Sequence, residues 1–253
     1  VASLFEIRGD LEMPKTVAKL YEAASDAMLA RGAVSDGVRR LLQAVFLEAH
    51  AAGHREIDDS ELEQGALRLK AREAIRVVHD PFAFDGIAAE KELSELRQRV
   101  REDKLPLLSL LQLEPLRVQS SHLSFQEYFA ASALCEQGTG EQGTVLSGAP
   151  PWQWPAWWAN AVSFGEGMGA TFGRGLLRAA GVEGDALDLS KKKLGGHRPT
   201  VLRVVGTFMH SLTSLDLSDN ELGPEGAKAL ASSLVSASLT QLDLAHNQLC
   251  GLD

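Results

Sequence analysis

The sequence predicts a mostly α fold that passes into α/β repeats: a helical bundle that ends in a β-hairpin, followed by the start of a repeat solenoid. Three patterns indicate this architecture. Apolar residues recur every three or four positions through the first part of the chain, which is typical of amphipathic helices. A segment near the centre alternates between apolar and polar residues and leads into a helix start. From about residue 184 onward, leucines recur in a fixed pattern.

Four helices are predicted ahead of the hairpin. The first carries a proline, Pro14, in its first turn, where the missing amide hydrogen costs nothing. The second starts near Ser35, and Gly53 ends it, since glycine readily adopts the left-handed conformation beyond a helix. A third helix begins near Asp59. The fourth helix carries both acidic and basic residues on one solvated face. Their predicted limits are residues 14–28, 35–53, 59–69 and 88–101.

A β-hairpin is predicted after these helices, with Glu114 and Pro115 at its tip and residues 111–113 and 116–118 on its two sides. Beyond the tip, buried-type and polar residues alternate as far as Ser120, which is the period of a half-buried strand. Helices followed by a hairpin give a winged-helix-like outline. Many winged helices bind DNA, but the helix at 88–101 mixes both charges, which favours a packing module inside a larger protein.

The next helix is predicted to begin at Ser124 and to run to about Leu134. Ser124 and Glu127 have the spacing of a capping box, in which the serine oxygen accepts from the amide three residues on and the carboxylate accepts from the serine amide. His122 lies just before this start. Because His122 falls on the same side of the strand pattern as Val118, we expect its side chain to point inward or into a cleft.

The run from His122 to Ala131 resembles the H-x-x-F-Q-E-Y-x-A-A signature that closes the winged-helix part of NACHT-type, STAND-class nucleotide switches, the module of NOD-like receptors. The segment 13–21 resembles a shorter element of the same family. In that family the histidine contacts the phosphate end of bound ADP, so the resemblance implies that His122 binds a cofactor, ADP or ATP, in the full-length protein. The family usually has an aromatic residue where this chain has Ser120. The alternative is a half-buried histidine without a ligand.

Residues 136–151 have the composition of a linker, and all four tryptophans follow between Trp152 and Trp158. The tryptophans are predicted to form core, and a stacking platform for a base or sugar is the alternative. Five glycines then lie between Gly165 and Gly175. Their spacing does not match a phosphate-binding loop. One continuous helix is predicted there, with Phe164, Met168, Phe172 and Leu176 on one face and glycines that allow close packing.

The last part of the chain repeats itself. Residues 212–222 fit L-x-x-L-x-L-x-x-N-x-L at every position, and residues 239–249 fit again 27 residues later. An earlier copy around Leu187 and Leu189 has Lys192 in place of the asparagine, as a terminal repeat does. This pattern is typical of leucine-rich repeats of the long, helix-bearing kind, and it resembles the ribonuclease-inhibitor-like repeats of NOD-like receptors.

The repeats predict a surface for a protein partner. In this fold the strand leucines point into a shared core, and the exposed side chains between them line the concave face. Thr213, Asp216, Thr240 and Asp243 are therefore the candidate partner-binding residues, with simple solvation as the alternative. Two or three repeats bury too little core to stand alone, so we expect more repeats in the parent protein, and the chain itself to be a fragment.

Composition narrows the function classes. The net charge of −9 and the pI near 5.3 argue against a nucleic-acid surface. The two cysteines, Cys135 and Cys250, fit free thiols in the cytoplasm and give neither a disulfide framework nor metal-ligand spacing. His50 and His54 have the spacing of two metal ligands on a helix, but no third ligand lies at a recognised distance. Neither a metal site nor a membrane span is predicted.

The predicted organisation is a helical subdomain and winged-helix-like part at 1–135, a linker and helical connector at 136–183, and leucine-rich repeats at 184–253. No phosphate-binding loop, Mg²⁺-binding acidic motif or catalytic constellation is present in the sequence, so no enzyme activity is predicted. The resemblance implies a regulatory fragment of a nucleotide-gated switch, with repeats that restrain it, and a parent protein able to oligomerise on activation. The alternative is a repeat scaffold that does not depend on nucleotide.

Overall fold

The computed structural model describes residues 14–79, 89–136, 149–195, 199–235 and 237–250. The chain divides into two compact units, residues 1–133 and 134–253. The described part is mostly helical and contains two small three-stranded sheets. Residues 137–148, which are most of the predicted linker, and residues 80–88 lie outside the described residues. The predicted three-part domain organisation stays a prediction.

The first unit consists of helices and one antiparallel sheet. Its elements, in order, are α1 (Val17–Gly32), α2 (Asp36–Ala52), β1 (Glu56–Asp58), α3 (Asp59–His79), α4 (Ala89–Arg101), β2 (Leu108–Gln112), β3 (Arg117–Ser120) and α5 (Leu123–Glu136). Residues of α5 from Leu134 onward are grouped with the second unit.

The helix ends follow local sequence signals. The Ser35 hydroxyl caps α2 by accepting from the Val38 amide at 3.3 Å, and Gly53 ends the helix with a φ of 80°. Helix α1 begins after Thr16, whose hydroxyl accepts from the Lys19 amide at 3.2 Å. Pro14 therefore lies before the N-cap residue, Thr16, and not in the first turn of the helix. The helix begins after Thr16 because the threonine hydroxyl gives the Lys19 amide a hydrogen-bond acceptor.

The sheet of the first unit has the order β1-β3-β2, with both pairs antiparallel. Ile57 pairs with Val118, and both side chains are fully buried. The turn between β2 and β3 carries Glu114 and Pro115, so the predicted hairpin is confirmed. The first strand begins at Leu108, earlier than predicted, because Leu108 pairs with Ser120 at the far end of β3.

Aromatic side chains of α5 form much of the first unit's core. The Phe129 ring lies 5.6 Å from the Phe46 ring, and Tyr21 lies 5.3 Å from Phe125 and 6.2 Å from Tyr128, measured between centroids. Each of these burials removes a large apolar surface from water, worth roughly 2–3 kcal/mol for a fully buried phenylalanine. The segment that resembles the nucleotide-switch signature is thus mainly a packing element.

The second unit begins with two short 3₁₀ turns and continues with helices and one parallel sheet. After turns at Pro151–Gln153 and Ala156–Trp158, its elements are α6 (Ala159–Glu166), α7 (Ala170–Ala179), β4 (Ala186–Asp188), α8 (Pro199–Phe208), β5 (Ser214–Asp216), α9 (Gly223–Leu234) and β6 (Gln241–Asp243).

The single helix predicted across the glycine-rich segment is wrong, because the segment forms two helices. Gly169 lies between α6 and α7 with a φ of 72°, a conformation that ends one helix before the next begins. The predicted close packing is present. A β-carbon on Gly165 would lie 2.2 Å from the Phe172 ring, and one on Gly175 would lie 2.0 Å from the carbonyl oxygen of Leu134.

Two of the four clustered tryptophans lie in the core, as predicted, while Trp152 and Trp157 are half-buried. Trp154 and Trp158 are buried, and their rings stack with centroids 3.9 Å apart. The Trp154 indole N–H donates to the carbonyl of Ala149 at 3.0 Å, which satisfies its polar edge. Trp152 meets Phe208 edge to face at 6.1 Å. A base or sugar would have to displace these contacts.

The second sheet brings the periodic leucines into register. Strands β4, β5 and β6 are parallel, and Leu187, Leu215 and Leu242 are direct partners across them. Each strand is three residues long and is followed by a tight turn. None of the helices described in the chain combines the length and the apolarity that crossing a membrane requires.

The two histidines with metal-ligand spacing have different environments. His50 is fully buried in α2, while His54 lies beyond the helix end with Nε2 3.0 Å from Glu61 Oε1. Within the described ranges, no group of three or more His, Cys, Asp or Glu side chains could hold a metal ion. Burial lowers the pKa of His50 to about 4, so His50 is neutral at physiological pH.

We expect the first unit to lose stability in acid because of His50. The unfolded chain protonates this histidine near pH 6.5, whereas the folded state resists protonation down to about pH 4. Stability is therefore fully present above pH 6.5 and falls between pH 6.5 and 4. The expected loss between pH 7 and 5 is about 2 kcal/mol. Urea titrations followed by far-ultraviolet circular dichroism would measure it, and His50→Gln should flatten this part of the profile. A His50 ring that titrates near pH 6.5 by NMR would contradict the expectation.

Candidate functional site

The turns after the strands of the second sheet are held by asparagine side chains. Asn220 is fully buried, and its Nδ2 donates to the carbonyls of Leu189 and Leu217, both at 2.8 Å. Its Oδ1 accepts from the backbone amides of Lys192 at 3.0 Å and Leu194 at 3.3 Å. One side chain thus satisfies backbone groups of two successive repeats.

Asn247 repeats this arrangement one repeat later. Its Oδ1 accepts from the amides of Asn220 at 3.0 Å and Leu222 at 3.3 Å, and its Nδ2 donates to the carbonyl of Leu217 at 2.7 Å. Buried backbone groups need such partners, because an unsatisfied amide in the interior is costly. The asparagines therefore make the strands a rigid frame for whatever side chains face outward.

The aspartates at the strand ends have a structural role, and two of them, Asp216 and Asp243, were predicted to contact a partner. Asp188, Asp216 and Asp243 stand in register across the three strands. In each case Oδ1 accepts from the amide two residues on, and these amides belong to Ser190, Ser218 and Ala245, each at 2.8 Å. This contact is an Asx turn. Its sequence signal is the aspartate that lies directly at the end of each strand.

The two threonines join neighbouring repeats. Both side chains are exposed. Thr213 Oγ1 donates to the carbonyl of Asp185 at 3.3 Å, and Thr240 Oγ1 donates to the carbonyl of Thr213 at 3.0 Å. The four predicted positions thus lie at the strands as expected, but each of them also holds the repeat together.

Ser214 and Gln241 belong to the same surface and were missed by the sequence pattern. They alternate with the inward leucines and stand side by side, with Ser214 Oγ 3.4 Å from Gln241 Oε1. The position just before the middle leucine of each repeat would have identified them. We define the strand face as the residues of β4, β5 and β6 that alternate with the inward leucines, namely Ala186, Asp188, Ser214, Asp216, Gln241 and Asp243.

The strand face is acidic. Its three carboxylates follow the spacing of neighbouring strands, about 4.8 Å. The Ser190 hydroxyl and amide hold the pKa of Asp188 below its usual value, with a smaller contribution from nearby lysines. Asp188 is therefore ionised at neutral pH, and a cation close to it would be favoured.

A separate groove of about 470 Å³ lies among α8, α9 and the turn between α6 and α7. Arg203 Nε lies 3.3 Å from Glu166 Oε1 at its rim. Desolvation raises the pKa of Glu166, and Arg203 opposes the shift. The lining also includes Thr207, His210 and Ser233. This mixed lining was not anticipated from the sequence.

His122 is exposed at the start of α5, so of the two expected orientations, inward or into a cleft, the inward one is wrong. Strand β3 ends at Ser120, and the alternation of faces does not continue beyond it. Ser120 Oγ donates to the carbonyl of His122 at 2.6 Å and fixes the bend. The His122 ring lies 6.4 Å from the Phe125 ring. Its predicted role in cofactor binding stays a prediction.

The predicted capping box is displaced. Helix α5 begins at Leu123, so Ser124 lies inside the first turn and is not the cap. The polar residues that follow turn inward. Gln126 is fully buried and donates through Nε2 to the carbonyl of His54 at 2.8 Å, and Glu127 is also buried. Glu127, which the local pattern assigned to the helix end, is thus buried, and its neighbour Gln126 makes a contact that the pattern did not predict.

We expect Asn220→Ala to destabilise the second unit by about 2–3 kcal/mol, because the buried amides of Lys192 and Leu194 lose their acceptor. All four tryptophans of the chain lie in this unit. Urea unfolding followed by tryptophan fluorescence therefore measures the effect without a signal from the first unit. The exposed Ser163→Ala on α6 is the control and should change stability by less than about 0.5 kcal/mol. Equal urea midpoints for the two variants would contradict the stabilising role of Asn220 at the turns.

Comparison with known proteins gives one match. A family model described as "Leucine Rich repeat" matches residues 208–231 and 235–249. No curated protein and no solved structure matches the chain. The matched residues contain β5, most of α9 and β6 with both asparagines, so the match and the geometry agree. This chain contains leucine-rich repeats.

Proposed function

We propose that the chain is a non-catalytic regulatory segment whose leucine-rich repeats bind a protein partner through the strand face. The observation that carries this proposal is the in-register sheet. Three strands present outward side chains at fixed spacing, while buried leucines and asparagines hold the backbone beneath them. A rigid surface of this kind binds with little loss of conformational entropy, which favours affinity.

The charge of the strand face indicates how a partner would be steered. Asp188, Asp216 and Asp243 create one negative column in a chain whose net charge is already −9. Complementary positive charge on a partner would raise the rate of encounter, and added salt would lower it.

The proposed location is the cytoplasm, where both cysteines stay free thiols, as they are in the structure.

The finer proposal is that these repeats belong to a nucleotide-gated switch of the NACHT type. The first unit supports it through its element order. Helix α2, the short β1, two helices and a hairpin whose second strand pairs with β1 follow the plan of a winged helix. The His122–Ala131 run lies directly after that hairpin, as it does in the family it resembles.

His122 suits contact with a ligand held elsewhere in the full-length protein. Its side chain is exposed, and its backbone is fixed by Ser120 on one side and by α5 on the other. ADP retained by the closed state, and a partner that binds the open state better, would make the switch respond by a shift of population. Oligomerisation of the parent on activation is part of the same proposal.

The alternative is a leucine-rich-repeat scaffold that does not depend on nucleotide. The family match favours this simpler function, since it covers repeat residues alone. The two proposals share the strand face and differ in His122. They are therefore separated by experiments on these two places.

We expect Ser214→Arg to weaken binding of a partner that was identified with the unaltered chain and then purified. A long charged side chain in the middle of the strand face should lower affinity at least tenfold, or by about 1.4 kcal/mol. Calorimetric titration would measure it. Ser163→Arg, the same change on the exposed side of α6, is the matched control and should leave affinity within about twofold. Equal effects of both variants would exclude the strand face as the binding surface.

We expect His122→Ala to reduce the amount of ADP that remains bound when the full-length protein is purified. Because the side chain is exposed, the substitution should change the free energy of unfolding by less than about 0.5 kcal/mol. Quantifying nucleotide released by denaturation, alongside a urea titration, checks both statements. Unchanged ADP content in the variant, or its absence from the unaltered protein, would favour the scaffold.

A further inference from the structure

Helices α8 and α9 meet through small side chains, and the groove of the second unit lies beside this contact. Gly206 of α8 is buried, and a β-carbon there would lie 2.5 Å from the hydroxyl oxygen of Ser233 on α9. Ala229 and Ser232 extend the small lining along α9. The open space of about 470 Å³ lies within the usual range of small-molecule sites, about 300–1,000 Å³.

The ion pair at the rim of this groove has hydrogen-bonding capacity left. Arg203 uses Nε to contact Glu166 Oε1 at 3.3 Å. Within the part of the chain that the structure describes, neither side chain makes a further hydrogen bond. A guanidinium has five N–H donors and a carboxylate has two accepting oxygens. The Nη1 and Nη2 groups of Arg203 and the Oε2 atom of Glu166 are therefore open to a ligand.

Two hydroxyl groups in the lining offer acceptors. Thr207 Oγ1 donates to the carbonyl of Val204 at 2.7 Å, and Ser232 Oγ donates to the carbonyl of Ala229 at 3.3 Å. Because each hydroxyl hydrogen is used inside its own helix, the oxygen keeps its lone pairs for an incoming N–H. The lining therefore favours a ligand that carries N–H donors.

The two opposite charges at the rim select a ligand with the same arrangement of charge. An anion at Arg203 would be repelled by Glu166, and a cation at Glu166 would be repelled by Arg203. An α-amino acid avoids both penalties, because its nitrogen and its carboxyl carbon are bonded to one carbon and lie about 2.5 Å apart. A peptide separates its two charged ends by at least one more residue, or about 3.5 Å of chain, and matches the adjacent charges less well.

We propose that this groove binds a free α-amino acid. The ligand carboxylate contacts the Arg203 guanidinium, and the ligand ammonium contacts Glu166 Oε2. The ligand side chain lies along Leu202 and Ala229, which also line the groove. Hydrogen bonds between charged groups are roughly twice as strong as those between neutral ones. The groove contains none of the strand-face residues, and its occupation does not depend on the proposed protein partner.

The test is to titrate the full chain with amino acids and to follow the backbone amides of Gly169 and Gly206, which line the groove, by NMR. L-leucine is the apolar probe and L-glutamine is the polar one. We expect at least one of them to cause saturable shifts of both amides below about 10 mM. The N-acetyl form of that probe lacks the ammonium, and its α-amide lacks the carboxylate. Each should bind at least about tenfold more weakly, because it loses one charged contact.

Two substitutions assign each ligand charge to its protein partner. In Glu166→Gln, the difference in affinity between the probe and its N-acetyl form should disappear, while the difference from the α-amide should remain. In Arg203→Gln, the reverse is expected. Exposed charges outside the groove lining provide matched controls. Glu225→Gln on α9 and Arg174→Gln on α7 should keep the affinity for the probe within about twofold.

Three results would overturn the proposal. The first is the absence of saturable binding by both probes, and the second is equal affinity for the free and the capped forms of a probe. Both are measured on the unaltered chain, so they decide the question even where a substituted chain does not fold. The third is persistence of both affinity differences in Glu166→Gln and in Arg203→Gln when the urea midpoints show that these variants are folded.

Discussion

The second unit depends on backbone amides that find their acceptors in asparagine side chains. Its strands are only three residues long, so ladder hydrogen bonds alone hold little of the chain. Asn220 and Asn247 take over at the turns, where no strand partner is available. Each is buried and links its own repeat to the preceding one. These contacts fix the spacing of the strand-face side chains, because those side chains are attached to the same backbone.

The strand face combines support and recognition in the same residues. Asp216 and Asp243 each use one carboxylate oxygen on the turn below and leave the other for solvent or a partner. An asparagine at either position would keep an acceptor for the turn and remove the charge, so structure and electrostatics can be separated there. Ser214 and Gln241 contribute less to the turns, and they form the neighbouring row beside the carboxylates. A partner's shape would therefore have to match these two side chains most directly.

In the first unit, the run from His122 to Ala131 also combines core residues with one exposed residue. Phe125, Gln126 and Phe129 serve the core, while His122 alone remains exposed at the start of the helix. Most residues of this motif therefore pack in the core, and only its first residue is open to solvent. The buried Gln126, with its bond to the His54 carbonyl, joins α5 to the end of α2 and so fixes where His122 stands.

The sequence by itself determined the features that rest on neighbouring residues: the leucine period, the Ser35 and Gly53 ends of α2, and the hairpin tip at Glu114 and Pro115. Turn and cap preferences act within a few residues, so a local pattern is sufficient to predict them. Only the tertiary structure decided the break at Gly169, the exposure of His122 and the inward turn of Gln126. These depend on which distant groups offer room or a hydrogen-bond partner. Contacts across such separations carry no local signature, so the exposure of His122 and the burial of Gln126 could not be predicted, whereas the positions of the strand face follow from the leucine pattern.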